Sequence, residues 1–135
     1  MSVRYRIHRN LQIVHTVVSD TTNSQELRAL SERVRRHPDF DPSFDQVVEI
    51  SCEGQSPNDA FAAQVCSHLV PPAPRVKLAL VAPGNLEFGI ARQFQSIYEL
   101  PDEVFFVARS LEGALAWLGL EGDVPEWGEW ATVSP

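Results

Sequence analysis

The sequence predicts an α/β protein: a mixed sheet of about five strands, an antiparallel hairpin at the N-terminus, and four helices. Three observations carry this. Residues 77–120 read strand, helix, strand, helix, with the first strand and both helices ended by breakers: Pro83-Gly84, Pro101-Asp102 and Gly119. Residues 2–8 and 11–18 alternate with period two across a tight turn at Arg9-Asn10. Strands that alternate with helices need crossover connections, so most of the sheet should be parallel.

The elements follow in order. Tyr5 and Ile7, then Leu11, Ile13 and Val17, give the inward set of the hairpin, with Val14 and Val18 competing for that face. Asp20–Ser24 is a capping cluster, in which Thr22 with Gln25 and Asn23 with Glu26 both fit a capping box. The helix that follows buries Leu27, Leu30 and Val34 and stops before Pro38, which disfavours helical backbone at His37. Arg33, Arg35 and Arg36 in its last turn complement the negative end of the helix dipole. Phe40 and Phe44 pin a two-proline loop to the core, and Gln46–Ile50 is the next strand.

Ser56-Pro57 has the form of a helix start, with Ser as N-cap and Pro at the first helical position. That helix carries a stripe of Phe61, Val65 and Leu69, beside which Cys66 reads as a small buried hydrophobe. Pro71–Pro74 ends it, and Lys77–Ala82 is a buried strand. Leu86, Ile90, Phe94 and Ile97 form the inward stripe of the following helix. Val104–Val107 is the last strand of the repeating pattern, and Leu111, Ala114, Leu115 and Leu118 line the last helix.

At 135 residues the chain suits one domain over 1–120. Residues 121–135 form a separate acidic tail without a period, yet they carry Trp127 and Trp130. A tail built only for solvation needs no indoles. It either folds back over an apolar edge of its own domain or docks on a partner subunit.

The net charge of −7 argues against a general nucleic-acid binder, which needs a basic face. No apolar run approaches the ~18 residues of a membrane span. The N-terminus enters a strand directly, with no signal-peptide core, so a cytoplasmic location is expected. Cys52 and Cys66 lack CxxC spacing, and His8, His15, His37 and His68 lack ligand spacing. His8 and His15 are expected to approach each other across the hairpin. Asp39, Asp41 and Asp45 lack the glycine and terminal glutamate of a calcium loop and suit turns and caps. No metal and no cofactor is expected.

Four places could bind something. Gly84 and Asn85 open a helix after a parallel strand, where free amides favour a phosphate or carboxylate, although Asn85 also suits an ordinary N-cap. Ser56 opens a helix after the central strand, as an N-cap hydroxyl or as a phosphorylation site. Phe88, Arg92 and Gln95 share a face away from Ile90, Phe94 and Ile97, which suits an interface anchor, or a Phe88 packed under the tail or a loop. Trp127 and Trp130 would extend that contact surface.

Three segments carry a family resemblance: Asp39-Phe-Asp-Pro-Ser-Phe-Asp-Gln-Val-Val48, Ala79-Leu-Val-Ala-Pro-Gly-Asn-Leu-Glu-Phe-Gly-Ile-Ala-Arg92, and Ser110-Leu-Glu-Gly-Ala-Leu-Ala-Trp-Leu-Gly119. Over residues 3–120 the chain resembles the STAS-like domains, small bacterial proteins related to sporulation anti-anti-sigma factors. The resemblance implies a sheet of four or five strands used to bind a protein partner. Related folds bind nucleotides, and the similar CRAL-TRIO architecture binds lipids. It also implies a phosphorylated serine near Ser56, in an Asp-x-Ser-Gly-like context whose Asp and Gly are absent from Cys52-Glu-Gly-Gln-Ser-Pro57. No nucleophile–base pair or metal set stands out. The expectation is a non-enzymatic regulatory or protein-interaction module, whose partner could be a second copy in a homodimer. The alternative is a nucleotide or lipid carrier with a groove at the strand ends.

Overall fold

A computed structural model describes residues 3–19, 24–51, 76–97, 99–120 and 130–133. The strands are β1 (Val3–His8), β2 (Ile13–Ser19), β3 (Asp45–Ser51), β4 (Leu78–Val81), β5 (Phe105–Ala108) and β6 (Ala131–Val133). The described helices are α1 (Ser24–Arg36), α2 (Asn85–Ile97) and α3 (Leu111–Trp117). The helix expected after Ser56, and the capping cluster before Ser24, lie outside the described residues.

The fold is α/β, with a mixed sheet in the order β5-β4-β3-β2-β1-β6. From β2 to β5 the strands are parallel, and β1 runs antiparallel to both β2 and β6. The hairpin turn is longer than expected. His8 pairs with Ile13 across a four-residue loop, 9–12, in which Gln12 adopts φ 58°. Leu11, expected in the strand, therefore sits in the loop and is exposed. The register sets Arg6, rather than His8, opposite His15.

The sheet separates two cores. Leu27, Leu30 and Val34 of α1, with Ala91 of α2, pack on Val3, Tyr5, Ile7, Val14, Val18, Val48, Ile50, Leu78, Leu80, Phe105 and Val107. Ala114 and Leu115 of α3 pack on the opposite face, against Ile13, Val47, Ala79, Val81 and Ala108. The competition between Val14 and Ile13 for the inward side is thus resolved by burying both faces, as suits a strand deep inside a sheet. Each fully buried Leu or Val contributes about 1.5–3 kcal/mol of transfer free energy. The loop before β3 is pinned as expected: Phe44 is buried, and Phe40 meets it edge-on at 6.0 Å.

Both described helix ends after β4 and β5 close by the same device. Gly119, at φ 87°, follows α3, and Leu120 N–H donates to the Leu115 carbonyl at 2.8 Å. Leu100 N–H likewise donates to the Gln95 carbonyl at 3.0 Å, but Glu99 holds the left-handed position there, at φ 51°. A side chain in that conformation costs more than glycine would.

Residues 131–133, part of the segment read as a tail, form β6 on the free edge of β1. Val3 pairs with Val133, Arg4 with Thr132 and Tyr5 with Ala131.

Candidate functional site

The sheet changes direction of exit between β4 and β5. The chain leaves β4 into α2 on one face and leaves β5 into α3 on the other. A crevice beyond the carboxyl ends of two strands that diverge in this way is the usual ligand position in open α/β sheets. Pro83, Gly84, Asn85, Phe88, Arg109 and Ser110 stand at this mouth.

Gly84 and Asn85 lie where the sequence placed them, but their roles differ from expectation. The Gly84 carbonyl accepts the first helical bond, from Phe88 N–H at 3.0 Å, so Asn85 is the first residue of the helix rather than its cap. The Asn85 side chain turns instead to Arg109, whose guanidinium donates to Asn85 Oδ1 at 2.8 Å and to the Pro83 carbonyl at 3.4 Å. The same guanidinium lies 4.1 Å from the centroid of the Phe88 ring. Phe88 is therefore half-covered by Arg109. Sequence reading missed Arg109, although a cation directly after a parallel strand, level with an Asn after the adjacent strand, was a usable signal.

The outer face of α2 departs further from expectation. Gln95, expected at the surface with Phe88 and Arg92, is buried. Its Nε2 donates to the Leu100 carbonyl at 3.0 Å, to Asp102 Oδ1 at 2.9 Å and to the Phe105 carbonyl at 3.1 Å. Arg92 is exposed and donates to Gln95 Oε1 at 2.9 Å. Its approach to Asp102 is 4.0 Å, between two exposed side chains, and contributes little. Ile97, expected in the core, is 68% exposed. The helix is rotated so that Gly89, Arg92, Gln93, Ser96 and Ile97 face outward. With Gln93, Gln95 and Ser96 on several sides of the last turns, polarity gave no sign of which side Ile97 would take.

Trp130 sits far from that surface. It packs beside β1, on the α3 side of the sheet, whereas α2 covers the other side near β5. The single contact surface expected from Phe88, Arg92 and Trp130 is thus divided. The Trp130 ring lies 4.3 Å from the guanidinium carbons of both Arg4 and Arg6 and 5.2 Å from the His15 ring. Arg6 Nε donates to His15 Nδ1 at 3.1 Å. Burial, then the charges of Arg6 and Arg4, push the His15 pKa down to about 4. Burial and Arg4 also lower the Arg6 pKa, with Glu49 opposing. Trp127 and Ser56 lie outside the described residues.

Two of the three aspartates, Asp41 and Asp45, accept from backbone N–H groups. Asp41 Oδ1 accepts from Ser43 Oγ at 2.7 Å and Ser43 N–H at 2.9 Å, which lowers its pKa, and Asp45 Oδ1 accepts from Lys77 N–H at 3.0 Å. Among the described residues no cluster of His, Cys, Asp or Glu could hold a metal ion, and no helix is long and apolar enough to cross a membrane. No family model, curated protein or solved structure matches the chain.

Proposed function

We propose that this chain is a non-catalytic regulatory or protein-interaction module of the STAS-like type, and that the outer face of α2 is its contact surface. The exposure of Ile97 carries this reading. Gly89, Gln93 and Ser96 set small or uncharged side chains around Ile97, 68% exposed, with Arg92 and its neighbour Asp102 as the charged pair of this face. Depletion of charge around an apolar anchor is the compositional mark of an interface core. The partner is a protein, or a second copy of this chain. Capture from the cells of origin tests it, with wild type and Ile97→Asp as matched baits and sedimentation of each bait alone. A stoichiometric partner, or self-association, that Ile97→Asp removes supports the reading. A protein partner captured equally by wild type and Ile97→Asp contradicts it.

A second reading rests on Arg109. Its guanidinium is held by Asn85 and Phe88 beside the amino end of α2, at the β4–β5 mouth. That arrangement suits the phosphate of a nucleotide or a lipid headgroup. Titration calorimetry with inorganic phosphate and with a mononucleotide tests it, with Arg109→Gln as control. Heat that disappears in the control supports this reading, and no heat with either ligand removes it.

A further inference from the structure

The edge of the sheet at β1 is a slot that is filled by a short arm. The arm is residues 130–133. Among the described residues, β6 packs on β1 and α1. Trp130 is held by Arg4, Arg6 and His15. Among the described residues the slot is thus built from residues 3–36, and the arm from the other end of the chain, beyond α3. Nine residues, 121–129, connect Leu120 to Trp130. Whereas α3 packs over β3, β4 and β5, the arm lies on the far edge, roughly 19 Å away at ~4.8 Å per strand step from β4 to β6.

Two consequences follow from this geometry. The slot accepts the arm of another copy with the same bonds as its own, since among the described residues β6 packs on β1 and α1, both in the N-terminal third. With the arm withdrawn, β1 is a bare sheet edge whose complementary sequence is Trp130-Ala-Thr-Val133. We infer that β6 is an exchangeable arm, and that two copies of this chain pair reciprocally by seating Trp130 and β6 of each in the Arg4–Arg6–His15 slot of the other. Exchange of an identical element makes a closed two-fold dimer with few new contacts, so the population of paired chains is governed by concentration. The pairing surface is separate from the outer face of α2.

The test uses the full-length chain with Cys52→Ser and Cys66→Ser, carrying Val3→Cys and Val133→Cys, positions that pair across β1 and β6 and leave the slot residues intact. The reduced protein is incubated over a range of concentrations, oxidised with diamide, and run on non-reducing gels. Exchange yields a covalent dimer whose share rises with concentration during incubation and falls when Trp130→Ala is added. A cross-link that stays within one chain at every concentration overturns the inference, as does the absence of any cross-link. Adding Ile97→Asp leaves the dimer share unchanged if exchange operates independently of α2. Loss of the dimer with Ile97→Asp but not with Trp130→Ala also overturns it, assigning pairing to α2 instead.

Discussion

Gln95 Nε2 donates to the Phe105 carbonyl at 3.1 Å, so a side chain of α2 closes the outer backbone of the edge strand β5. Leu78 N–H bonds the Val104 carbonyl and Ala82 N–H the Ala108 carbonyl, each at 2.8 Å, which turns Phe105 and Val107 outward. Phe105 N–H is taken in turn by the Pro101 carbonyl at 3.0 Å. Both backbone groups of Phe105 are thereby withheld from strand pairing with another chain.

Replacing Gln95 should therefore cost more than a surface change. Gln95→Leu leaves the Phe105 and Leu100 carbonyls without their donor, and about 1–3 kcal/mol of stability should be lost in urea unfolding. Gln95→Glu should be worse at pH 7 than near pH 4, because an ionised carboxylate would face those carbonyls and Asp102. Equal stability of all three proteins would mean that the carboxamide is idle.

Glu99 gives the opposite sign. Its left-handed backbone, at φ 51°, suits glycine, and Glu99→Gly should raise stability by about 0.5–1 kcal/mol. The shift in the urea midpoint at constant slope reports it.

His15 makes stability depend on acid. Its folded pKa of about 4 lies below the usual 6.5, so between these values the unfolded chain holds the extra proton. Stability from this group is full above pH 6.5 and falls as pH drops, levelling off below pH 4 with a loss of about 3 kcal/mol. His15→Gln keeps an acceptor for Arg6 and should remove that part of the slope. Identical pH profiles for the two proteins would contradict the assignment.

Trp130 anchors β6 through two cation–π contacts, each worth about 0.5–1 kcal/mol at a partly exposed site. Trp130→Ala should cost about 1–2 kcal/mol and speed hydrogen exchange across Val3–Tyr5 more than in the other strands. Uniform exchange in both proteins would show that the arm does not depend on the indole.

The layout of the sheet was legible in the sequence because it rests on periodicity and breakers. β4, α2, β5 and α3 fell where apolar runs met Pro83-Gly84, Pro101 and Gly119, and the stripe Leu27, Leu30, Val34 was buried as expected. The rotation of α2 was not legible. Gln95 and Ile97 exchanged places because three carbonyl and carboxylate oxygens converge on the Gln95 position, and hydropathy does not count acceptors. β6 was missed for a related reason: three residues give no period, and their partner lies at the other end of the chain. At the β4–β5 mouth, Gly84 and Asn85 were visible locally, whereas Arg109 joins them only through the register of two strands.

The most direct test of the interaction surface compares wild type with Ile97→Asp in unfolding and in association. Ile97 is exposed, so the substitution should change stability by no more than about 0.5 kcal/mol. Partner capture, or self-association measured in the Trp130→Ala background, should nevertheless fall at least tenfold, equivalent to about 1.4 kcal/mol of binding free energy. Undiminished partner capture with Ile97→Asp, in a chain that still folds, would contradict the assignment of the α2 face.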